Sequence, residues 1–159
     1  MFLGKKNNGF TMIEIMVVVV IIGLLALLTV PMTTRFLAKA KRAEAYMNLS
    51  SIYTAQKIYW AENGKYASDL ASLGWKPEGY SGGGKKEKFY YTYGFAQGGE
   101  GQGYVTGNLE TPSSALKDAK ADKESFVIVA AADLLGKGRY DILTVNQNNA
   151  VNIVQDGLQ

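Results

Sequence analysis

No cysteine and no histidine occur among the 159 residues. Their absence removes the typical zinc ligands and the commonest general base of catalysis. It also means that any part of the chain held in an oxidising compartment stays folded without disulfides. An excess of charge is lacking too: 17 basic residues stand against 14 acidic ones, a formal net charge of +3. That surplus is too small for the field a dedicated nucleic-acid surface requires, so a pI near 9.0 is not evidence for one. The serines have no partner that would make them nucleophiles, and nothing in the sequence places two acids in one cleft. The expectation is a chain that is not an enzyme and takes no cofactor and no metal. Its length allows one domain plus an anchor, not two independent cores.

What the chain does contain is a long apolar run, from Phe10-Thr11-Met12-Ile13 through Ile21, Ile22, Leu24, Leu25, Leu27, Leu28 and Val30. A bilayer is crossed by roughly 20 apolar residues at about 1.5 Å rise each, and this run suffices. Glu14 interrupts it near its head. A carboxylate in that setting costs on the order of 2.5–3.5 kcal/mol, which marks it as a functional residue. Before the run lies a short polar leader, Met1 to Gly9, with Lys5, Lys6, Asn7 and Asn8. A secretory signal peptide places its small-residue cleavage site after the apolar stretch. Here the candidate site, Gly9, precedes it, so cleavage would leave the anchor on the mature chain.

Pro31 follows the run, and a kink rather than a stop is expected there. Apolar residues then recur at helical spacing: Phe36, Ala40, Ala43, Met47, Ile52, Ala55 and Tyr59, with Arg35, Lys39, Lys41, Arg42, Glu44, Lys57 and Glu62 on the wetter sides. Asn63-Gly64 is a stop signal. The helix is therefore expected from Phe10 to Asn63, about 80 Å long, its outer half covering a small sheet with the stripe just named. Strands are expected over Phe89–Phe95, Tyr104–Leu109, Phe126–Ala132, Tyr140–Val145 and Val151–Val154, joined as an antiparallel meander, with a short surface helix over Ser113–Ala121. The fold class is α+β. The ten tyrosines fit half-buried packing in the sheet and in subunit contacts.

Two motifs resemble binding sites and fail as such. Gly79-Tyr80-Ser81-Gly82-Gly83-Gly84-Lys85-Lys86 spells most of a phosphate-binding loop, but Lys86 stands where Ser or Thr would hold magnesium, and no strand precedes it. A solvated, flexible loop is expected. Asp133 and Asp141 flank Gly136-Lys137-Gly138; the carboxylates are too sparse for calcium, and a plain hairpin turn is expected.

Lys5-Lys6-Asn7-Asn8-Gly9-Phe10-Thr11-Met12-Ile13-Glu14 resembles the leader and cleavage site of the type IV pilins and pseudopilins. The resemblance extends through Pro31 and, more weakly, to about Trp75, taking in Tyr59-Trp60-Ala61-Glu62-Asn63-Gly64-Lys65-Tyr66. It implies that a membrane-embedded peptidase cuts after Gly9 and methylates Phe10, and that Glu14 serves subunit assembly. Removal of Lys5 and Lys6 would leave 15 basic residues against 14 acidic. Many family members close their C-terminal region with a disulfide, which this chain cannot form.

The implied organisation is a leader (1–9), a membrane and filament-core helix half (10–34), an amphipathic helix half (35–63) and a head (64–159). The implied function is a structural subunit of a type IV pilus or related filament, a homo-oligomer built by helix bundling. Its partners would be the prepilin peptidase, the assembly platform of the inner membrane, and the lipid bilayer before assembly. Localisation would be a single-pass inner-membrane precursor with a periplasmic head, then an extracellular pilus or periplasmic pseudopilus. Alternatives are a type II secretion pseudopilin and a membrane-tethered binding or enzymatic domain. Counting positive charge opposes this orientation, since Arg35, Lys39, Lys41 and Arg42 outnumber Lys5 and Lys6. The expectation is that the outer cluster is answered by acids such as Glu44 or Glu62 on neighbouring helices.

Overall fold

The computed structural model describes residues 9–159; the leader expectations for Met1 to Asn8 lie outside the described residues. Helix α1 spans Met12–Asn63. It ends where the sequence asks it to. Gly64 takes φ +68°, its N–H bonding the Trp60 carbonyl at 2.8 Å, a left-handed terminator that glycine adopts without a Cβ penalty. The helix is continuous through position 31; the Pro31 side chain, and with it the expected kink, lies outside the described residues.

The chain divides into two compact units, one ending at Phe36 and one spanning Leu37–Gln159. In the first, the described side chains of α1 are exposed on all sides. The apolar stretch reaches a mean hydropathy of 3.0, so this helix is long and apolar enough to cross a membrane.

The second unit packs residues 37–63 of α1 on an antiparallel sheet. Its strands are β1 (Thr92–Gly94), β2 (Tyr104–Val105), β3 (Lys120–Ala121), β4 (Phe126–Ala132), β5 (Asp141–Asn146) and β6 (Val151–Gln155), in the order β2-β1-β4-β5-β6. β3 lies along the same edge of β4 as β1, pairing Lys120 with Val127 while Thr92 pairs with Ala131. The α+β expectation holds. β4 to β6 form the expected meander, and β4 has the expected limits. The N-terminal strands are shorter than expected: the Tyr90 N–H turns to Glu44 at 3.0 Å, although the flanks of the two strands still meet through the Asn108 N–H, which donates to the Phe89 carbonyl at 2.9 Å. The expected surface helix over Ser113–Ala121 is instead one 3-10 turn, Ser113–Leu116, followed by β3. Its Ala115 and Leu116 are buried against Val129 and Ala131, so this segment packs inward rather than lying on the surface.

The main core joins α1 residues Ala38, Ala45, Leu49 and Ile52 to Tyr91, Tyr93, Phe126, Ile128, Leu143 and Val145. With Arg42 and Gln56 these helix positions are spaced 4-3-4-3-4, one continuous face. Here the expected stripe is corrected. Of its members only Ile52 is buried; Phe36 is 72% and Met47 68% exposed, and Ala40 and Ala43 are exposed as well. At about 100° per residue Phe36, Ala40, Ala43 and Met47 lie on the side of the helix opposite Ala38, and the sheet took the face headed by Ala38, which the expected stripe joins only at Ile52.

Candidate functional site

The head of α1 is fastened by Thr11 and Glu14. The Thr11 N–H and Oγ1–H both donate to the Glu14 carboxylate, at 2.8 and 2.7 Å, and the Glu14 N–H donates to Thr11 Oγ1 at 3.3 Å. This is a reciprocal capping box, Thr at the N-cap and Glu three residues on, satisfying donors that a helix start leaves free. Sequence reasoning singled out Glu14 for its cost in lipid and overlooked this local role, although Thr-x-x-Glu before an apolar run is its ordinary signature. Both bonds from Thr11 fall on Oε2. An ionised carboxylate offers about four acceptor positions, and among the described residues nothing else donates to Oε1. Every atom of the cap lies on the C-terminal side of the Gly9–Phe10 bond, so cutting that bond would leave it intact.

Phe10 is 84% exposed. A Cβ at Gly9 would meet nothing within 4 Å among the described residues, so space within the described chain does not call for a glycine at this position.

The outer half of α1 carries two faces with different tasks. On the sheet side, Arg42 reaches across to β5 and to the segment after β6. Its Nε bonds Asp141 Oδ2 at 2.9 Å, and its Nη2 bonds both Asp141 and Asp156. Asp141 is fully buried and also accepts from the Tyr91 hydroxyl at 2.6 Å and the Gly157 N–H at 3.0 Å. Burial works against the Arg42 charge, but the two aspartates outweigh it and hold the guanidinium more firmly protonated. The Tyr91 hydroxyl is pushed up by burial and then by Asp141. Nearer the helix end, buried Gln56 bonds both backbone groups of Ala67, donating to its carbonyl at 2.8 Å and accepting its N–H at 2.9 Å. These contacts fix the rotation of the helix against the sheet.

Two members of the basic cluster, Lys41 and Arg42, are answered within the chain rather than on neighbouring helices. Arg42 takes Asp141 and Asp156, and Lys41 lies 4.7 Å over the Tyr90 ring. Glu44 faces inward as an acceptor for the Tyr90 N–H and the Tyr93 hydroxyl; burial raises its pKa against the pull of those two bonds.

Facing away from the sheet are Ala40, Ala43, Met47, Ser50, Thr54, Ile58 and Ala61. All are exposed, none is charged, and three are alanines. Their 3-4 spacing is the pattern of a helix seam.

The two tempting motifs resolve into structural devices. Within Gly79–Lys86, the Ser81 N–H and hydroxyl and the Gly83 N–H all donate to Glu87, at 2.8–2.9 Å to Oε1. Glu87 is only 3% exposed. Its own burial would raise its pKa, but these donors win and hold it below the ordinary carboxylate range. The loop that resembles a phosphate cradle is therefore filled by the chain's own carboxylate. Glu100 fastens it from the other side, accepting from the Thr106 N–H at 2.9 Å and the Tyr80 hydroxyl at 3.1 Å, and Tyr80 is pushed up to about 12 by burial and Glu100. The expected flexible loop is in fact a bonded one. Glu87→Ala is expected to speed amide hydrogen exchange at Ser81 and Gly83, while Phe126 to Val145 remain the slower-exchanging stretch in both forms; unchanged rates at the loop would count against the carboxylate as its fastener. Asp133 accepts the N–H groups of Lys137 and Gly138, at 3.1 and 2.7 Å, closing its hairpin turn, while Asp141 is bound to Arg42. Each carboxylate has its partners inside the protein.

Comparison with known proteins gives a match of residues 4–30 to the prokaryotic N-terminal methylation motif. The chain is 44% identical over 75 residues to the type IV major pilin protein PilA of Myxococcus xanthus, covering 47% of this chain and 34% of that one. It is 42% identical over 70 residues to the type II secretion system core protein G of Pectobacterium carotovorum, covering 44% and 45%. To the fimbrial protein EcpC of Eikenella corrodens it is 32% identical over 72 residues, covering 45% and 47%. The matched stretches span between a third and a half of these curated relatives.

Proposed function

We propose that the chain, whose N-terminal half is similar to a type IV major pilin and to a type II secretion core protein G, is a structural subunit of a pilus-like filament rather than an enzyme. The observation that carries this reading is the second face of α1. A helix serving only to support its own sheet has no use for an uncharged seam on the side turned away, whereas a subunit that bundles with copies of itself requires one.

In this reading the chain first sits in the inner membrane through the apolar part of α1, with the head in the periplasm. The peptidase removes Met1 to Gly9 and methylates Phe10. A glycine that space within the described chain does not call for is suited to a cleft that must accept the backbone extended. The assembly platform then draws the anchor from lipid into the bundle, where Glu14 of one subunit meets the Phe10 amine of another. The bend at Pro31 belongs to the same proposal. The finished filament is an extracellular pilus, or a periplasmic pseudopilus if the likeness to core protein G governs.

The test is direct. Filaments sheared from cells are expected to contain this chain as a main component, with an intact mass lacking Met1 to Gly9 and carrying one added methyl group on Phe10. A mature chain beginning elsewhere, or filaments without the chain, would remove the reading. Loss of protein secretion with no surface filament in a deletion strain would favour the pseudopilin form.

A further inference from the structure

One edge of the sheet is closed and the other is open. Beyond β2, the Gly84 N–H bonds the Thr106 carbonyl at 3.0 Å, the Gly101 N–H bonds the Tyr104 carbonyl at 2.7 Å, and Glu100 takes the Thr106 N–H. Beyond β6, no described residue pairs with the sheet. Open edges are normally blunted by lysine, proline or a short strand, since they template pairing with other chains. β6 has no lysine and no proline, and its one irregularity is the bulge that leaves Val154 without a partner on β5. It is five residues long, Val151-Asn152-Ile153-Val154-Gln155, and no residue from Ile142 to Gln155 carries a charge. Ile153 is 42% and Val154 58% exposed. The register shift at Ile142/Leu143 sits at the Gln155 end, leaving Val151 to Ile153 regularly paired with β5.

The geometry points to β6 as a contact surface whose partner is β6 of a second copy in a neighbouring filament, run antiparallel. Three arguments select that partner. Overlap of β6 with itself centres on Ile153, the last regularly paired residue before the bulge, and places Ile153 opposite Ile153. No like charges meet in that register, and the apolar groups pair across the strands. A contact between identical edges also needs a two-fold axis. Subunits of one filament all point the same way and have no such axis between them, whereas two filaments lying antiparallel do. Finally, one five-residue edge falls well short of the roughly 1,200–2,000 Å² that a stable soluble pair buries. Such a contact holds only when repeated along two polymers, where each junction raises the effective concentration of the next. The inference rests on the filament reading above.

The experiment uses sheared filaments from cells carrying a single gene copy, with bundle width measured by electron microscopy and subunit yield measured separately. Wild-type filaments are expected to lie side by side in bundles. Val154→Lys should disperse them into single filaments at unchanged yield, since Lys blunts the edge without entering the core. Because the chain has no cysteine, Ile153→Cys gives an independent measure that does not depend on the lysine variant assembling. Oxidised Ile153→Cys filaments should yield disulfide-linked dimers at least about tenfold above Gln155→Cys, since paired residues in a ladder fall within disulfide reach and residues two places off the centre do not. Wild-type filaments that remain single, Val154→Lys bundles as wide as wild type, or equal dimer from both cysteines would each overturn the proposal. Pairing of β6 with an unrelated extended peptide in place of bundling would overturn it too. Absence of the chain from filaments is seen in the yield alone and strikes the underlying reading.

Discussion

Glu14→Leu is expected to leave leader removal and membrane insertion intact while cutting incorporation into filaments to a small fraction of wild type. The mature chain would begin with the charged amine of Phe10, and both that amine and the Glu14 carboxylate are costly in hydrocarbon. Paired between subunits at one axial stagger they offset each other; removing one partner of such a pair costs roughly 3–5 kcal/mol, or more than about 100-fold in each contact. The capping box supplies a rival explanation, because Glu14 also holds the first turn of its own helix through Thr11. Glu14→Gln separates the two. Glutamine serves in a capping box as glutamate does but brings no charge. If charge pairing sets assembly, Gln and Leu fail alike. If the cap is what matters, Gln assembles and only Leu fails. Leu is better solvated by lipid than Glu, so its failure could not be laid to poor insertion. Normal filament yield from Glu14→Leu in cells lacking the wild-type copy would end both accounts.

The second large effect is expected at Arg42. Arg42→Met keeps an apolar stem and deletes the guanidinium, leaving fully buried Asp141 with only the Tyr91 hydroxyl and the Gly157 N–H. An uncompensated buried carboxylate costs roughly 3–5 kcal/mol, a fall in melting temperature on the order of 10 °C for a unit of this size, measured on the detergent-extracted full chain. Adding Asp141→Asn should recover part of the loss, since no unpaired charge then remains. A single variant melting within about 1 °C of wild type would refute the clamp as a main support of the head. Acid supplies a graded version. Asp156 is held below its ordinary 3.8, first by the Leu158 N–H and then by Arg42. A carboxyl depressed in the folded state contributes stability that is present above its unfolded value and lost as pH falls through the folded one. Wild-type melting should therefore drop more steeply below about pH 4 than that of Arg42→Met, which has already lost the Arg42 share.

These two residues also mark where the sequence was readable. The apolar run, the Asn63-Gly64 stop and the limits of β4 were all legible, because each rests on local chemistry: transfer to lipid, a left-handed terminator, and an uninterrupted β-branched and alanine-rich stretch between polar residues. The phase of the helix was not. Residues 37–63 carry two apolar stripes at the same spacing, one headed by Ala38 and one by Ala40. Periodicity reports that a stripe exists but not which of two meets the sheet. The deciding residue was Arg42, which reads as solvated in sequence and proves to be central, its partners lying 99 and 114 positions away. Glu87 was hidden for the same reason, since the loop that receives it exists only once folded. The Thr11–Glu14 cap, by contrast, lay within four consecutive residues and needed only the right template.

The clamp that stands in for a covalent closure has a consequence for when and where the head can form. A disulfide has to wait for an oxidant and can be undone by a reductant. Arg42, Asp141 and Asp156 bear their charges from the moment of synthesis. The head can therefore reach its final form under reducing and oxidising conditions alike, without an oxidoreductase.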